Sequence, residues 1–447
     1  MKMKGRVAFY TLGCKVNQNE TEALTGMFKN RGYEVVDFED TADVYVINTC
    51  TVTHLGDRKS RQIIRKAVKA NPRAKIVVTG CYAQTSPGEV TRIPGVNLVV
   101  GTSERGRIVD LVEELGDRTT PLALVKDLKE QKVFEDIPLE KIIQRARAYL
   151  KVQEGCEQFC SYCIIPYARG PVRSRSIGNT LQEAQKLIRA GFKEIILTGI
   201  HLGAYGKDLG EGVELAGLLS KLLPLDSSVR WRLSSLEPTE VTDRILKLLV
   251  EYENFCPHLH LPLQSAHDEI LKAMNRPYTT KEYRDIVTNI RTQVPDISIT
   301  TDIMVGFPGE SDEQFNLGYE FIREMAFSDI HVFKYSPRRG TPAAEFPGQV
   351  PPPVKEERSR KLIMLAEELA DNYGRKFLGN TLDVLVETEL SRGYWEGHAA
   401  NYLKVEFPAW GVSRGQILPV QIKEIKGKKC LGEIDPGAFT KEKGGEQ

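Results

Sequence analysis

The chain has 447 residues, too many for one hydrophobic core, so its length predicts two to four domains. Its 41% hydrophobic and 27% charged residues are typical of a soluble globular protein, and no apolar run is long enough to span a membrane. The formal net charge of +1 excludes a general electrostatic attraction to nucleic acid, so an RNA partner requires a local basic patch. We expect neither DNA nor a membrane as a partner. We also expect a cytoplasmic location, because no signal-peptide hydrophobic segment precedes the first predicted strand.

Residues 1–115 alternate short β-rich segments with longer helical ones, which indicates a doubly wound parallel α/β domain. The strands are predicted at residues 6–12, 44–49, 75–79 and 97–100. The first helix is predicted to begin near Asn19 and the second near Asp57, whose carboxylate suits a helix N-terminus. Residues 116–147 show scattered charges and no clear period, so we expect a linker there.

Residues 148–372 contain a second alternating series, with strands predicted at 148–153, 194–200, 229–235, 259–264, 297–307 and 329–335. Six such units predict a partial (β/α)6 barrel that stays open on one side, since eight units close a complete one. A charged helix is predicted at 355–372. In residues 373–440 strands predominate, at 382–389, 403–408 and 416–424, which suggests a small β-barrel of the oligonucleotide-binding kind. We expect a disordered tail after about residue 436.

Three of the eight cysteines stand close together, in the run Gly155-Cys-Glu-Gln-Phe-Cys-Ser-Tyr-Cys163 directly after the first barrel strand. We call Cys156, Cys160 and Cys163 the barrel triad. Iron–sulfur cubanes normally take four cysteine ligands, so three thiolates leave one iron open for a substrate or cofactor. A zinc knuckle is the competing interpretation, but structural zinc takes four ligands with paired spacings, and no fourth cysteine or histidine is near in sequence.

Three other cysteines are far apart in sequence but occupy equivalent places, because each directly follows a predicted strand. We call Cys14, Cys50 and Cys81 the N-terminal triad. The carboxyl ends of parallel strands meet at one edge of a sheet, so these thiols should converge. One such cysteine alone would suggest a buried core residue, but three at the same place in the pattern favour a second cluster. Cys256 and Cys430 have no such companions and are interpreted as packing residues.

The barrel triad, with Tyr162 before its last cysteine, resembles the radical S-adenosylmethionine (SAM) superfamily. Together with the N-terminal triad and the terminal β-domain, it resembles the methylthiotransferases within that superfamily. The resemblance covers residues 3 to about 436. Three segments look most like the threonylcarbamoyladenosine tRNA methylthiotransferases: Thr11-Leu-Gly-Cys-Lys-Val-Asn-Gln18, Asn48-Thr-Cys-Thr-Val-Thr53 and Gln158-Phe-Cys-Ser-Tyr-Cys-Ile-Ile-Pro-Tyr-Ala-Arg-Gly170.

This resemblance implies two [4Fe-4S] clusters, one on each triad, and SAM bound at the open iron of the barrel triad. It implies that a methylthio group is inserted at carbon 2 of N6-threonylcarbamoyladenosine at position 37 of tRNA, with a reductant such as a flavodoxin. It also makes the terminal β-domain a TRAM domain, an RNA-binding module. Isopentenyladenosine tRNA and a ribosomal protein, the substrates of sister groups, remain alternatives. A non-catalytic, metal-stabilised RNA-binding protein is the alternative of another class.

Residues that contact the cofactor or RNA can also be proposed from the sequence. At the barrel's strand ends we expect these side chains and one glycine to meet SAM: Tyr162, Thr198, Gly199, Glu237, Gln264 and Asp302. Between residues 55 and 75 lie eight Lys or Arg residues and one Asp, and several recur at helical spacing, which predicts a basic helix face for phosphate contacts. An ordinary solvated helix face is the competing interpretation. The predicted RNA contacts are Arg58, Arg61, Arg65, Lys69, Arg169 and Arg173.

Overall fold

The computed structural model describes residues 3–52, 54–116, 118, 120–139 and 146–435. The tail predicted after residue 436 lies outside these residues. Among the helices in the described part of the chain, none is long and apolar enough to cross a lipid bilayer.

The N-terminal domain is a parallel α/β sheet, as the alternating pattern predicted. Its elements are β1 (Arg6–Thr11), α1 (Lys15–Asn30), β2 (Glu34–Val36), β3 (Val44–Thr49), α2 (His54–Ala70), β4 (Lys75–Gly80), α3 (Cys81–Thr85), α4 (Pro87–Thr91), β5 (Val96–Val100), α5 (Ile108–Glu114) and β6 (Leu122–Leu124). The strand order is β2-β1-β3-β4-β5-β6 within the described residues. Ile47 and Val78 pack on one face and Val46 and Val77 on the other, so helices cover both faces of the sheet.

Three details of the N-terminal prediction are wrong. The first helix begins at Lys15 rather than near Asn19, because Cys14 is its N-terminal boundary residue. The short strand β2 carried no recognisable alternation and was missed. The sheet continues past residue 115, since β6 pairs in parallel with β5 within the segment that was predicted to be a linker.

The central domain is a curved wall of parallel strands. Its elements are β7 (Ala148–Lys151), β8 (Gln153–Glu154), α6 (Ile165–Arg169), β9 (Arg173–Ser174), α7 (Ile177–Arg189), β10 (Glu194–Thr198), α8 (Leu215–Leu222), β11 (Arg230–Leu233), α9 (Asp243–Glu251), β12 (His258–His260), α10 (Asp268–Ala273), α11 (Thr280–Gln293), β13 (Ser298–Val305), α12 (Asp312–Met325), β14 (Asp329–Lys334) and α13 (Pro352–Arg375). Two three-stranded sheets, β11-β10-β7 and β12-β13-β14, meet where Trp231 bridges to Phe255 and Ser235 to His260. The predicted partial (β/α)6 barrel is therefore confirmed.

Side chains alternate between two environments along the barrel strands. Leu259, Ile299 and Ile330 join the hydrophobic core between the strands and the surrounding helices. Their neighbours in the strands, such as His260 and Asp302, therefore face the inner side of the curved wall. The inner side is polar, as expected for a chamber that receives a polar ligand.

The terminal domain is a closed five-stranded barrel within the described residues, which confirms the predicted small β-barrel. Its strands are β15 (Thr381–Ser391), β16 (Tyr394–Ala399), β17 (Lys404–Pro408), β18 (Ile417–Lys426) and β19 (Lys429–Ile434). The sequence analysis missed β16 and β19. The domain packs against the central barrel through Tyr402. The Tyr402 ring stacks on His258 at 4.4 Å between ring centroids, and the Arg232 guanidinium lies 4.8 Å from the centre of the same ring.

Candidate metal centres

The N-terminal triad lies along one edge of the first sheet. Cys14 follows β1, Cys50 follows β3, and Cys81 is the first residue of α3 directly after β4. These three strands are neighbours in the sheet, so their carboxyl ends carry the three cysteines side by side. A Cβ built on Gly13, the residue before Cys14, would lie 3.3 Å from Cys50 Sγ, so the chain next to Cys14 packs against Cys50. The predicted convergence of the three thiols is thus supported by the strand order.

Burial disfavours the thiolate form of Cys50 and Cys81 unless a cation or a metal accompanies it. Burial raises the pKa of Cys81 to about 12, and burial likewise raises the pKa of Cys50. Arg169 nevertheless donates a hydrogen bond from Nε to Cys81 Sγ over 3.2 Å. A guanidinium aimed at a sulfur suits a thiolate, and metal binding is what deprotonates buried thiols at neutral pH.

The barrel triad lies in the loop between β8 and α6, at the carboxyl end of the first barrel strand. Cys156 Sγ is 3.5 Å from His201 Nδ1, and Arg276 donates from Nη1 to Cys160 Sγ over 3.3 Å. Burial raises the pKa of Cys163 to about 12. This triad therefore combines a buried thiol with cationic donors, as the N-terminal triad does.

His201 and Arg276 are functional candidates that the sequence analysis did not select. His201 bridges Cys156 and Glu240, whose Oε1 lies 2.8 Å from His201 Nε2. Burial alone would lower the pKa of His201, but the hydrogen bonds to Cys156 and Glu240 raise it to about 10. Its position just after β10, at a strand end of the barrel, was the available signal. Arg276 follows a helix and gave no signal in sequence.

The three sulfurs of each triad are not close enough together for one zinc ion to bind all of them. In the described chain, the sole group of three metal-binding side chains whose ligand atoms all lie within 4.8 Å of one another is His260, Asp302 and His331. The sulfurs of neither triad are that compact. A single zinc ion would hold its thiolates about 3.8 Å apart, given Zn–S bonds of about 2.3 Å. In a cubane each cysteine binds a different iron, which spreads the sulfurs more widely.

The residues predicted to meet SAM lie at one end of the barrel. Thr198 ends β10, Glu237 follows β11 and Gln264 follows β12, where its backbone NH donates to the Asp302 carbonyl over 2.8 Å. Glu237 forms an ion pair with Arg276, which itself contacts Cys160. The cofactor contacts of these residues stay predictions.

The remaining members of that predicted set, whose cofactor contacts also stay predictions, lie against the following protein groups. Tyr162 is partly buried against an apolar cluster that includes Met274. Gly199 lies against Gln153, because a Cβ there would come within 2.8 Å of Gln153 Oε1. The Asp302 carboxylate lies 3.3 Å from His260 Nε2 and 3.2 Å from His331 Nδ1. Burial would raise the pKa of Asp302, but the two histidines hold it well below its usual range.

The predicted RNA contacts fall into two groups. Arg58, Arg65 and Lys69 are exposed on α2. Arg61 on the same helix is partly buried and donates to the Tyr82 hydroxyl over 3.1 Å. These four stay predictions.

The structure corrects the predicted RNA contacts of Arg169 and Arg173. They are 0% and 1% exposed, so neither can reach an RNA phosphate. The sequence showed basic residues beside a cluster loop, but not that Glu20 and Glu154 would be buried opposite them and draw Arg169 inward.

The fold and the barrel triad together define a radical SAM enzyme, and comparison with known proteins agrees. The family described as "Radical SAM superfamily" matches residues 150–322, and "Uncharacterized protein family UPF0004" matches residues 6–101. A similar solved structure is the radical S-adenosylmethionine methyltransferase TsrM from Kitasatospora setae, with TM-score 0.58 and 15% identity over 76% of this chain and 77% of that one. At this identity the likeness shows the fold alone.

Two curated relatives identify the family. The threonylcarbamoyladenosine tRNA methylthiotransferase MtaB of Bacillus subtilis is 45% identical over 93% of both chains. A tRNA-2-methylthio-N(6)-dimethylallyladenosine synthase of Clostridium botulinum is 34% identical over 86% of both chains. The chain belongs to the methylthiotransferase family of radical SAM enzymes.

Proposed function

We propose that this enzyme inserts a methylthio group at carbon 2 of N6-threonylcarbamoyladenosine at position 37 of tRNA. The observation that carries the proposal is the pair of cysteine triads, one at each of two neighbouring sheet edges, in a chain 45% identical to an enzyme named for this substrate. The relative named for dimethylallyladenosine is less similar, at 34%. This difference favours threonylcarbamoyladenosine over the isopentenyl base. The enzyme acts in the cytoplasm, with a low-potential electron donor such as a flavodoxin.

The N-terminal triad holds a second [4Fe-4S] cluster in this proposal. Its fit rests on the converging strand ends and on the cationic hydrogen bond to Cys81. When both clusters and SAM are bound, they supply the one-electron chemistry that replaces the C2–H bond of the base by a C2–SCH3 bond.

The protein's own residues hold these groups in fixed places. His201 and Arg276 orient two thiolates of the barrel triad. Glu240 pairs with His201, and Glu237 pairs with Arg276. Such second partners fix the direction of a ligand's hydrogen bond. The base enters the polar inner side of the barrel, where His260, Asp302 and His331 form a linked group that can meet its polar substituent.

The tRNA binds across the surface beside the two triads. The exposed Arg58, Arg65 and Lys69 of α2, which follows Cys50, supply phosphate contacts. Four large apolar side chains near the triads are also exposed: Val52, Leu55, Phe159 and Tyr167. Aromatic rings beside basic groups suit stacking on unpaired bases, as in an anticodon loop.

Mass spectrometry of tRNA nucleosides tests the proposal. Cells that lack this protein should lose 2-methylthio-N6-threonylcarbamoyladenosine and accumulate its unmodified precursor, while 2-methylthio-isopentenyladenosine stays unchanged. Re-expression of the wild-type protein, but not of Cys81→Ala, should restore the product. Loss of the isopentenyl product instead would reassign the base. Unchanged tRNA nucleosides together with an altered ribosomal protein would overturn tRNA as the substrate.

A further inference from the structure

Arg169 links the two triads across the domain boundary. It is the last residue of α6, six residues after Cys163 of the barrel triad. Its Nε nevertheless donates to Cys81 of the N-terminal triad over 3.2 Å. One short segment of the barrel domain therefore holds the cysteines of one triad and a direct hydrogen-bond donor to the other.

The orientation of the Arg169 side chain is fixed on every side. Nη1 donates to Glu20 Oε1 over 2.5 Å and to Glu154 Oε1 over 3.1 Å, and Nη2 donates to Asn17 Oδ1. Asn17 Oδ1 in turn lies 3.8 Å from Cys14 Sγ, in the same triad as Cys81. The planar fork of an arginine can satisfy these partners at once, whereas the single ammonium of a lysine cannot.

Arg169 shares the carboxylates beside it with two other buried cations. Glu20 also pairs with Arg105 and, over 2.8 Å, with Lys151, and both of these cations contact Glu154 as well. All three cations are buried. Arg105 also pairs with Glu135 over 2.9 Å, so three carboxylates face these three cations. The Nη1 and Nη2 groups of Arg169 contact the carboxylates and Asn17, whereas Nε contacts Cys81. A cationic N–H donor thus points at the Cys81 sulfur in a low-dielectric setting, where such an interaction is strong.

We propose that Arg169 is a positioning residue that raises the reduction potential of the N-terminal cluster; this rests on the proposed second cluster. One-electron reduction adds a negative charge to the cluster, with the electron coming from the external reductant. Hydrogen bonds to cluster sulfurs are one of the determinants of cluster potentials. A cationic N–H donor stabilises the more negative, reduced form, so its loss makes reduction harder.

Arg276 provides the matched comparison. It donates to Cys160 of the barrel triad over 3.3 Å and contacts no cysteine of the N-terminal triad among its hydrogen bonds to the described residues. The two arginines should therefore act on different clusters. Arg169→Lys should shift only the N-terminal cluster, and Arg276→Lys only the barrel cluster.

The test uses the full-length chain with Cys156, Cys160 and Cys163 replaced by Ala, so that only the N-terminal cluster is assembled. EPR-monitored redox titration of this protein should give a more negative midpoint when Arg169→Lys is added and an unchanged midpoint when Arg276→Lys is added. The reciprocal background, with Cys14, Cys50 and Cys81 replaced, should show the reverse. An unchanged midpoint in folded Arg169→Lys would leave Arg169 a structural residue and overturn the inference.

A measurement on the native side chain covers the case in which Arg169→Lys does not fold. HYSCORE spectra of the reduced N-terminal cluster in protein labelled with [15N]arginine should show a nitrogen coupling transmitted through the N–H···S contact. Absence of that coupling also overturns the inference. If the N-terminal triad takes up no iron at all, the proposed second cluster itself has failed, which iron analysis separates from both results.

Discussion

Gly13 lies against Cys50 at the centre of the N-terminal triad. Its φ of +109° lies in the left-handed region that disfavours other residues, and a Cβ there would come within 3.1 Å of Cys50 Cβ and 3.3 Å of its Sγ. The absence of a side chain at Gly13 therefore lets the turn before Cys14 pack against Cys50.

Gly13→Ala should displace Cys50 and strain the turn before α1. We expect the variant to lose most of the iron of the N-terminal triad and its methylthio product, while it retains the barrel cluster. Iron and sulfide analysis after anaerobic reconstitution measures this. Gly178→Ala is the matched control, because a Cβ added to Gly178, in α7, would have no described atom within 4 Å. Equal iron contents in the two variants would contradict the packing argument.

Single cysteine replacements should separate the two triads by function. Cys160→Ala should abolish cleavage of SAM, because the barrel triad loses a ligand. Cys81→Ala should still cleave SAM to 5′-deoxyadenosine but should form no methylthio nucleoside. Cys256→Ala, in the core near Arg232, should keep both activities. Chromatographic analysis of both products checks this, and equal activity of Cys160→Ala and Cys256→Ala would refute the assignment.

Most of the fold could be predicted because it follows from periodicity. Buried parallel strands such as β3 and β4 read as continuous apolar runs between helical segments, so their positions in the sequence were correct to within one or two residues. Strands β2 and β6 each have three residues and lie at the edges of their sheet, where few apolar positions are needed. Such short edge strands leave almost no pattern to detect.

The candidate site was predictable only where chemistry depends on residue type. Cysteines are rare and their spacing is informative, so both triads were found. Arg169, Arg276 and His201 contact sulfur only because the chain brings distant segments together. The position of His201 just after β10 was its one available signal, and the two arginines had none. Arg169 was even assigned to RNA, since burial of an arginine depends on carboxylates elsewhere in the chain.

Glu194, the first residue of β10, pairs with two buried arginines. It is fully buried and accepts two hydrogen bonds from Arg232, at 3.0 and 3.1 Å, and lies 3.5 Å from Arg147. Burial would raise the pKa of Glu194, but the two arginines lower it to about 2. Glu194→Gln leaves the buried Arg232 without its carboxylate partner, whereas Arg147 keeps its ion pair with Glu387. We therefore expect it to lower the free energy of unfolding by about 3–5 kcal/mol.

The pH dependence of that loss has a definite sign. Because the folded pKa is depressed from 4.5, the stabilisation is complete above that value and is lost as the pH falls towards about 2. Urea unfolding should therefore give the same difference between wild type and Glu194→Gln at neutral and mildly alkaline pH, and a smaller one in acid. Glu214→Gln, in an exposed pair with Arg244, should cost less than about 1 kcal/mol. A difference that grows on acidification would contradict the charge argument.

The basic face of α2 should bind tRNA phosphates. Arg65→Glu with Lys69→Glu should weaken tRNA binding and reduce the slope of log affinity against log salt by about 2, one unit for each lost contact. Fluorescence anisotropy over a range of salt concentrations measures both. The control pair is Lys221→Glu with Lys247→Glu, two exposed lysines on the outer helices α8 and α9. If both pairs weaken binding equally, the face on α2 has no special role.

The presence of two clusters on two separate triads is tested most directly by iron and sulfide analysis, with Mössbauer spectroscopy, of the anaerobically reconstituted enzyme. The account predicts about eight irons per chain as two cubanes. It also predicts about four in Cys81→Ala and about four in Cys160→Ala, with the surviving cluster different in the two variants. A wild-type protein that binds zinc in place of iron, or that takes up no more than about four irons, would contradict it.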